Sequence, residues 1–151
     1  MIERNDKTMA GYMRKLNGYV YDGAHTAGEA LPNGVFVEIT VSGVKKITAA
    51  GDMELRVQEK TTLWGMNAVV LDVIFPGEDE IFFVENEWDI HDECEYNEAE
   101  YACKIGDFVK MHRPVINDQL VMTVGDALYA SLAVGDTVTP ASGGLVAKKS
   151  S

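Results

Sequence analysis

The sequence predicts an all-β protein: a small β-barrel or sandwich with short hairpins and an extended N-terminal arm. Three observations lead there. Val35, Val37, Ile39 and Val41 alternate with Phe36, Glu38, Thr40 and Ser42, the period of two that marks a strand with one covered face. Gly-Asp pairs follow Ile or Val in KIGD, TVGD and AVGD. Glycine permits the positive φ of a tight turn, and Asp bonds its own backbone nearby. Helical periodicity is scarce, with a short stripe at Met9, Tyr12, Met13 and Leu16 and a candidate helix from Gly125 to Leu132.

Residues 1–18 are expected to form a flexible or docking arm, since their apolar stripe is too short for a core helix and Arg4, Lys7, Arg14 and Lys15 make them locally basic. Residues 19–147 form the β domain, with a subdomain boundary near Tyr101 as an alternative, and 148–151 a frayed tail. GYVYDG opens with alternating aromatics and closes on a turn. Pro32-Asn33-Gly34 is turn chemistry before the alternating strand. KKITAAGD reads as a short strand and turn, MELRVQE as another strand, and NAVVLDVIFPG as a buried strand stopped by Pro76-Gly77. EIFFVE is a strand leading into ENEWDIHDECEYNEAEY. YACKIGDFVKMHRP breaks at Gly106-Asp107, NDQLVMTVGD ends at Gly125-Asp126, and the last stretch turns at Gly135-Asp136, Pro140 and Gly143-Gly144.

A chain of 151 residues suits one domain that buries enough surface to need no staples. Its net charge of −11 argues against nucleic acid and anionic membranes as partners, because both need clustered Lys and Arg. No apolar run reaches the length of a membrane span. The first residues lack the apolar centre of a signal peptide, so synthesis in a cytosol is expected. Two cysteines, Cys94 and Cys103, are too few for a secreted disulfide scaffold.

Between Lys60 and Lys104 there is no Lys or Arg, and twelve of the twenty-four carboxylates fall in that span. Glu85, Glu87, Asp89, Asp92, Glu93, Glu95, Glu98 and Glu100 form an acidic ribbon that must face water or a cationic partner. Trp88 and Ile90 are its expected anchors. The ribbon does not match the EF-hand pattern, since His91 stands two residues after Asp89 and no glycine follows; irregular calcium binding stays open. Zinc would have to join His91, Cys94, Cys103 and His112, whose spacing is not that of a structural site. No serine lies in a G-x-S-x-G context and no phosphate-cradling glycine loop occurs. The expectation is therefore no catalytic residue, no metal, no cofactor and no enzyme.

GEALPNGVFVEI, FFVENEWDI, YxxKxGDFVKMHRPVINDQLVMT and LAVGDTVTPASGGLV resemble a group of small head proteins of tailed phages, the capsid decoration or cement proteins. The resemblance covers most of residues 19–147; the arm has no counterpart in it. It implies a structural virion protein on the capsid surface, assembled in the host cytoplasm, that binds the major capsid protein and stabilises the shell. It also implies a homotrimer at a three-fold site, with a monomer as the alternative. Met9, Tyr12, Met13, Arg14, Lys15 and Leu16 are the expected capsid-binding residues, an arm of this kind binding by strand addition. A virion-associated module for glycans or a host surface is the second reading; it would need Trp88, Tyr96 or Tyr101 exposed. A metal-dependent enzyme is the third.

Overall fold

Alternating apolar residues build sheets here, and where they alternate decides which sheet is covered on one face and which on two. In a computed structural model, which describes residues 3–4, 10–15, 21–85 and 101–149, the chain is mostly β, with several antiparallel sheets and no closed barrel. In chain order the strands are β1 (Glu3–Arg4), β2 (Gly11–Lys15), β3 (Tyr21–Asp22), β4 (Leu31–Pro32), β5 (Phe36–Thr40), β6 (Gly43–Lys46), β7 (Glu54–Leu63), β8 (Met66–Phe75) and β9 (Phe82–Val84). They continue with β10 (Tyr101–Cys103), β11 (Met111–His112), β12 (Gln119–Thr123), β13 (Thr137–Ala141) and β14 (Leu145–Lys148). One short helix, α1 (Asp126–Ser131), lies between β12 and β13.

The described strands form three sheets, ordered β14-β13-β7-β8-β12-β2, β3-β11-β9-β5-β6 and β1-β10-β4. The six- and five-stranded sheets enclose the main core. Leu55, Val57, Val69, Leu71, Val73, Leu120, Met122, Val138 and Val146 point into it from one side, Phe36 and Phe83 from the other. Those two rings lie 5.3 Å apart on neighbouring strands. The other face of the five-stranded sheet, through Val37, Val44, Phe82, Val84 and Met111, packs on Leu31 and Cys103 of the three-stranded sheet. The middle sheet is thus buried on both faces, and successive residues such as Phe36 and Val37 serve different cores, as period two requires.

This double burial corrects the half-buried reading of residues 35–42. Val35, Phe36 and Val37 are all fully buried, whereas Ile39 and Val41 are exposed. The strand starts between two layers and ends beyond both. The longest hairpin, β7–β8, turns at Trp64-Gly65, both residues at positive φ, the backbone of a two-residue turn that matches strand twist. Among the Gly-Asp pairs, Gly106 and Gly135 adopt positive φ in turns, while Gly125 at φ −66 begins α1. The helix anticipated at 125–132 is therefore present. Lys60 Nζ donates to Leu132 O at 2.9 Å, and Lys148 Nζ to Ser131 O at 3.3 Å, placing two ammonium groups at the carbonyl end of α1 where its dipole favours them.

Three boundary expectations change. Ala10–Lys15 do not form a detached arm: β2 pairs with β12 as the edge of the six-stranded sheet, and Ala10 is fully buried. Residues after Tyr101 are not a subdomain, because β10, β11 and β12 enter three different sheets. Lys148 and Lys149 are not frayed: Lys148 pairs with Val138 across β13–β14, and Lys149 N–H donates to Thr137 O at 2.8 Å while its ammonium meets Glu54.

Candidate functional surface

Glu85, the first carboxylate of the acidic ribbon, leaves β9 and is held on three sides. Its N–H donates to Lys110 O at 3.0 Å. Its Oε1 lies 2.9 Å from Nε2 of the buried His112 on β11, and its Oε2 accepts the N–H of Met13 at 2.8 Å. One carboxylate thereby joins the five-stranded sheet to β2 of the six-stranded sheet. It also occupies an N–H of an edge strand, one of the devices that stop edges from recruiting another chain. Glu85 is structural rather than part of a solvated ribbon. Glu87, Asp89, Asp92, Glu93, Glu95, Glu98 and Glu100 lie outside the described residues, as do Trp88, Ile90, His91, Cys94 and Tyr96.

The expected arm contacts divide similarly. Met9 and Leu16 lie outside the described residues, and of Lys15 only the backbone is described. Met13 packs on the main core, and Tyr12 packs on Ala68, Val70 and Val121 on the outer face of the same sheet. Among the described side chains of this set, Arg14 is the one that reaches solvent, 3.5 Å from Glu59. The side chains expected to grip a partner are, for Tyr12 and Met13, committed to the fold.

Cys103 sits in the second core. Its Sγ points at the carbonyl oxygens of Phe108 at 3.6 Å and Lys104 at 3.8 Å. Burial, with the nearby Asp107 charge adding to it, pushes the thiol up to about 11, so it is neither a nucleophile nor a ready ligand. Among the described residues no group of three His, Cys, Asp or Glu side chains is arranged to hold a metal ion.

Two surface features are not evident from the sequence. The first is an open groove of about 720 Å³ between the β7–β8 turn, the start of α1 and the Ser142–Gly144 turn, lined by Lys46, Asn67, Asp126, Ser142 and Leu145. Asn67 Nδ2 donates to Asp126 Oδ1 at 2.9 Å. The second is one end of the five-stranded sheet, where three turns are bound together. Val44 N–H donates to Thr26 O at 2.8 Å, Gly28 N–H to Val44 O at 2.9 Å, and Ala27 N–H to Asp107 O at 2.9 Å. Gly106 N–H donates to Ala27 O and Val109 N–H to His25 O, each at 2.9 Å. Segment 25–28 is thus stitched between the β5–β6 turn and the β10–β11 turn. Val41, Ile105 and Phe108 project from these turns, 108%, 58% and 65% exposed. The signal was present: an apolar residue beside Ser42-Gly43, and two flanking Gly106-Asp107, positions where turns ordinarily carry polar side chains.

Fold and surface together define a layered, antiparallel all-β protein. Comparison with protein-family models, with curated proteins and with solved structures finds no match to this chain.

Proposed function

We propose that the chain is a structural virion protein that binds the outer surface of an assembled phage capsid and stabilises the shell. What carries the reading is where the resembling segments fall. GEALPNGVFVEI supplies β4 and β5, FFVENEWDI begins with β9, the Tyr101–Thr123 block supplies β10 to β12, and LAVGDTVTPASGGLV supplies β13 and opens β14. They thread all three sheets, so the likeness belongs to the folded body and not to an appended peptide. The major capsid protein is the partner and the capsid surface the location, with a trimer as the preferred state and a monomer as the alternative. On this reading the chain contributes adhesive area in many copies, where avidity multiplies modest contacts; it is not an enzyme and needs no cofactor, nucleic acid or membrane. A net charge of −11 keeps such a protein soluble and off the packaged genome.

The test is addition of purified protein to undecorated capsids of the same virion. Co-sedimentation and a higher temperature of capsid rupture are expected; absence of co-sedimentation at saturating protein removes the reading. The contribution of β2 is read with Arg14→Glu, because deleting residues 1–17 would also remove a strand of the sheet.

A second reading, a glycan or host-surface module, draws on the groove beside the β7–β8 turn. Trp64, 47% exposed, precedes Gly65 at its rim, and the Asn67–Asp126 pair, Ser142 and Lys46 supply polar contacts. Polar groups lining an open groove, with an exposed ring next to Gly65 in the chain, are what a sugar site would draw on. Glycan-array binding that Trp64→Ala abolishes would favour this reading over the shell.

A further inference from the structure

We infer that Asn33-Gly34 is a latent modification site: a pair primed to lose the Asn33 amide as ammonia, closed by the fold and opened when β2 and the end of β9 lift off it.

The reaction needs only the chain and water. The Gly34 main-chain nitrogen gives up its proton to base and attacks Asn33 Cγ. A bond forms between that nitrogen and Cγ, the bond from Cγ to Nδ2 breaks, and Nδ2 leaves as ammonia. Water then opens the five-membered imide at either carbonyl, giving aspartate or isoaspartate. Glycine hinders such an attack least, because its Cα carries no side chain. The dipeptide alone therefore marks the pair as reactive.

The fold withholds what the reaction needs. Asn33 is 0% exposed, so bulk water does not reach its amide. Gly34 N–H donates to Val84 O at 2.9 Å, so the attacking nitrogen keeps its proton in a hydrogen bond. Gly34, at φ +85, is pressed against the start of β2: a methyl on it would lie 2.5 Å from Ala10 O and 2.7 Å from Gly11 Cα. Little space is left for the turn to bend into a ring. The cover has two pieces, β2 and the Val84 end of β9. Glu85 ties them together, since it follows Val84 and accepts the Met13 N–H at 2.8 Å. Local opening of this cover is the event that exposes the pair.

Reaction in the open state is one-way. Either product puts a carboxylate where a fully buried amide stood, and a buried charge is costly unless it is paired. Isoaspartate also adds a carbon to the main chain. A molecule that reacts while open does not close again in the same way, so the turn keeps a permanent record of its openings.

The experiment incubates full-length protein in mildly alkaline buffer: wild type native, wild type unfolded in guanidinium chloride, and native Glu85→Ala, Glu85→Gln and Gly11→Ala. Cleavage after glutamate yields peptide 30–38, which separates Asn33 from the chain's other Asn-Gly pair, Asn17-Gly18, outside the described residues. Mass spectrometry reads the conversion of amide to acid, and an isoaspartyl methyltransferase assay reads the isoaspartate share. Asn33→Gln, whose longer side chain closes a ring far more slowly, gives the background. Circular dichroism establishes which variants are folded; if Gly11→Ala is not, the two Glu85 variants carry the comparison. The expected result is a native wild-type rate at least tenfold below the unfolded one, with folded Glu85→Ala and Gly11→Ala faster than wild type and Glu85→Gln between. A native wild type that reacts as fast as the unfolded chain would show that the fold does not close the site, and overturns the inference. Equal rates in native wild type and every folded variant overturn it too, because opening would then not run through β2 and Glu85.

Discussion

Gly11 faces Gly34 with no room for a side chain between them. A methyl at Gly11 would run into the Gly34 Cα and lie 2.8 Å from Val121 O, and both obstacles are backbone. Gly11→Ala should therefore destabilise the protein by about 1–3 kcal/mol, the usual cost of overpacking, read as a lower denaturation midpoint. Cys103 makes the opposite kind of statement. With its thiol held near 11 by burial and Asp107, it should resist thiol reagents at pH 8 in the native state and react once the protein is unfolded. A Cys94→Ser background isolates its signal. Rapid native labelling would show that the second core opens readily.

At the scale of elements, β2 is the informative strand. Thr123 N–H donates to Ala10 O at 3.0 Å, and Glu85 accepts from Met13 at 2.8 Å, so the start and the middle of the strand are fastened. Glu85→Ala would leave the Met13 N–H without its acceptor, worth about 1–3 kcal/mol where the group stays buried. Amide exchange at Met13 should accelerate at least tenfold, with less change at Val69 in the sheet interior; Glu85→Gln, which keeps an accepting oxygen, should fall between. The turns carry the acid sensitivity. Asp52 accepts the N–H groups of Glu78 at 2.8 Å and Asp79 at 3.3 Å, and Asp136 that of Ala133 at 2.9 Å. These backbone bonds, with Lys148 also acting on Asp136, hold both carboxyls below their ordinary 3.8. A depressed folded value stabilises above the unfolded one and is lost as pH falls through the folded one. Asp52→Asn with Asp136→Asn should thus lower the denaturation midpoint at pH 7, and the difference should vanish as the pH is taken down through and below 3.8.

On the scale of the whole molecule, three layers share one middle sheet, and that sheet explains what could and could not be anticipated. The strands at 82–84 and 119–123, the first part of the one at 54–63 and most of the one at 66–75 are legible because apolar runs and turn residues mark them locally; residues 60–63 are not, since KTTL carries no strand alternation of apolar side chains. The helix at 126–131 was legible from its spacing. The fate of Val41 was not: its alternation with Ser42 is the same on a covered strand and on one that has run out past its neighbours. The acidic ribbon raised the right question about Glu85 and suggested the wrong role, because a carboxylate that fastens an edge strand and one that faces water look alike in sequence. Tyr12 and Met13 read as free contacts for the same reason; a partner 109 residues away, Val121, sits opposite Tyr12 in β12.

The sequence by itself determined the all-β class, most strand positions, the turns at Gly106 and Gly135, and the acidity that argues against nucleic-acid partners, since each depends on neighbours within a few residues. Only the tertiary structure decided that Gly11–Lys15 belong to a sheet, that Cys103 is buried in the second core, and that Val41, Ile105 and Phe108 are exposed on turns. Those outcomes depend on which distant backbone or carboxylate covers a group, and local pattern carries no record of that.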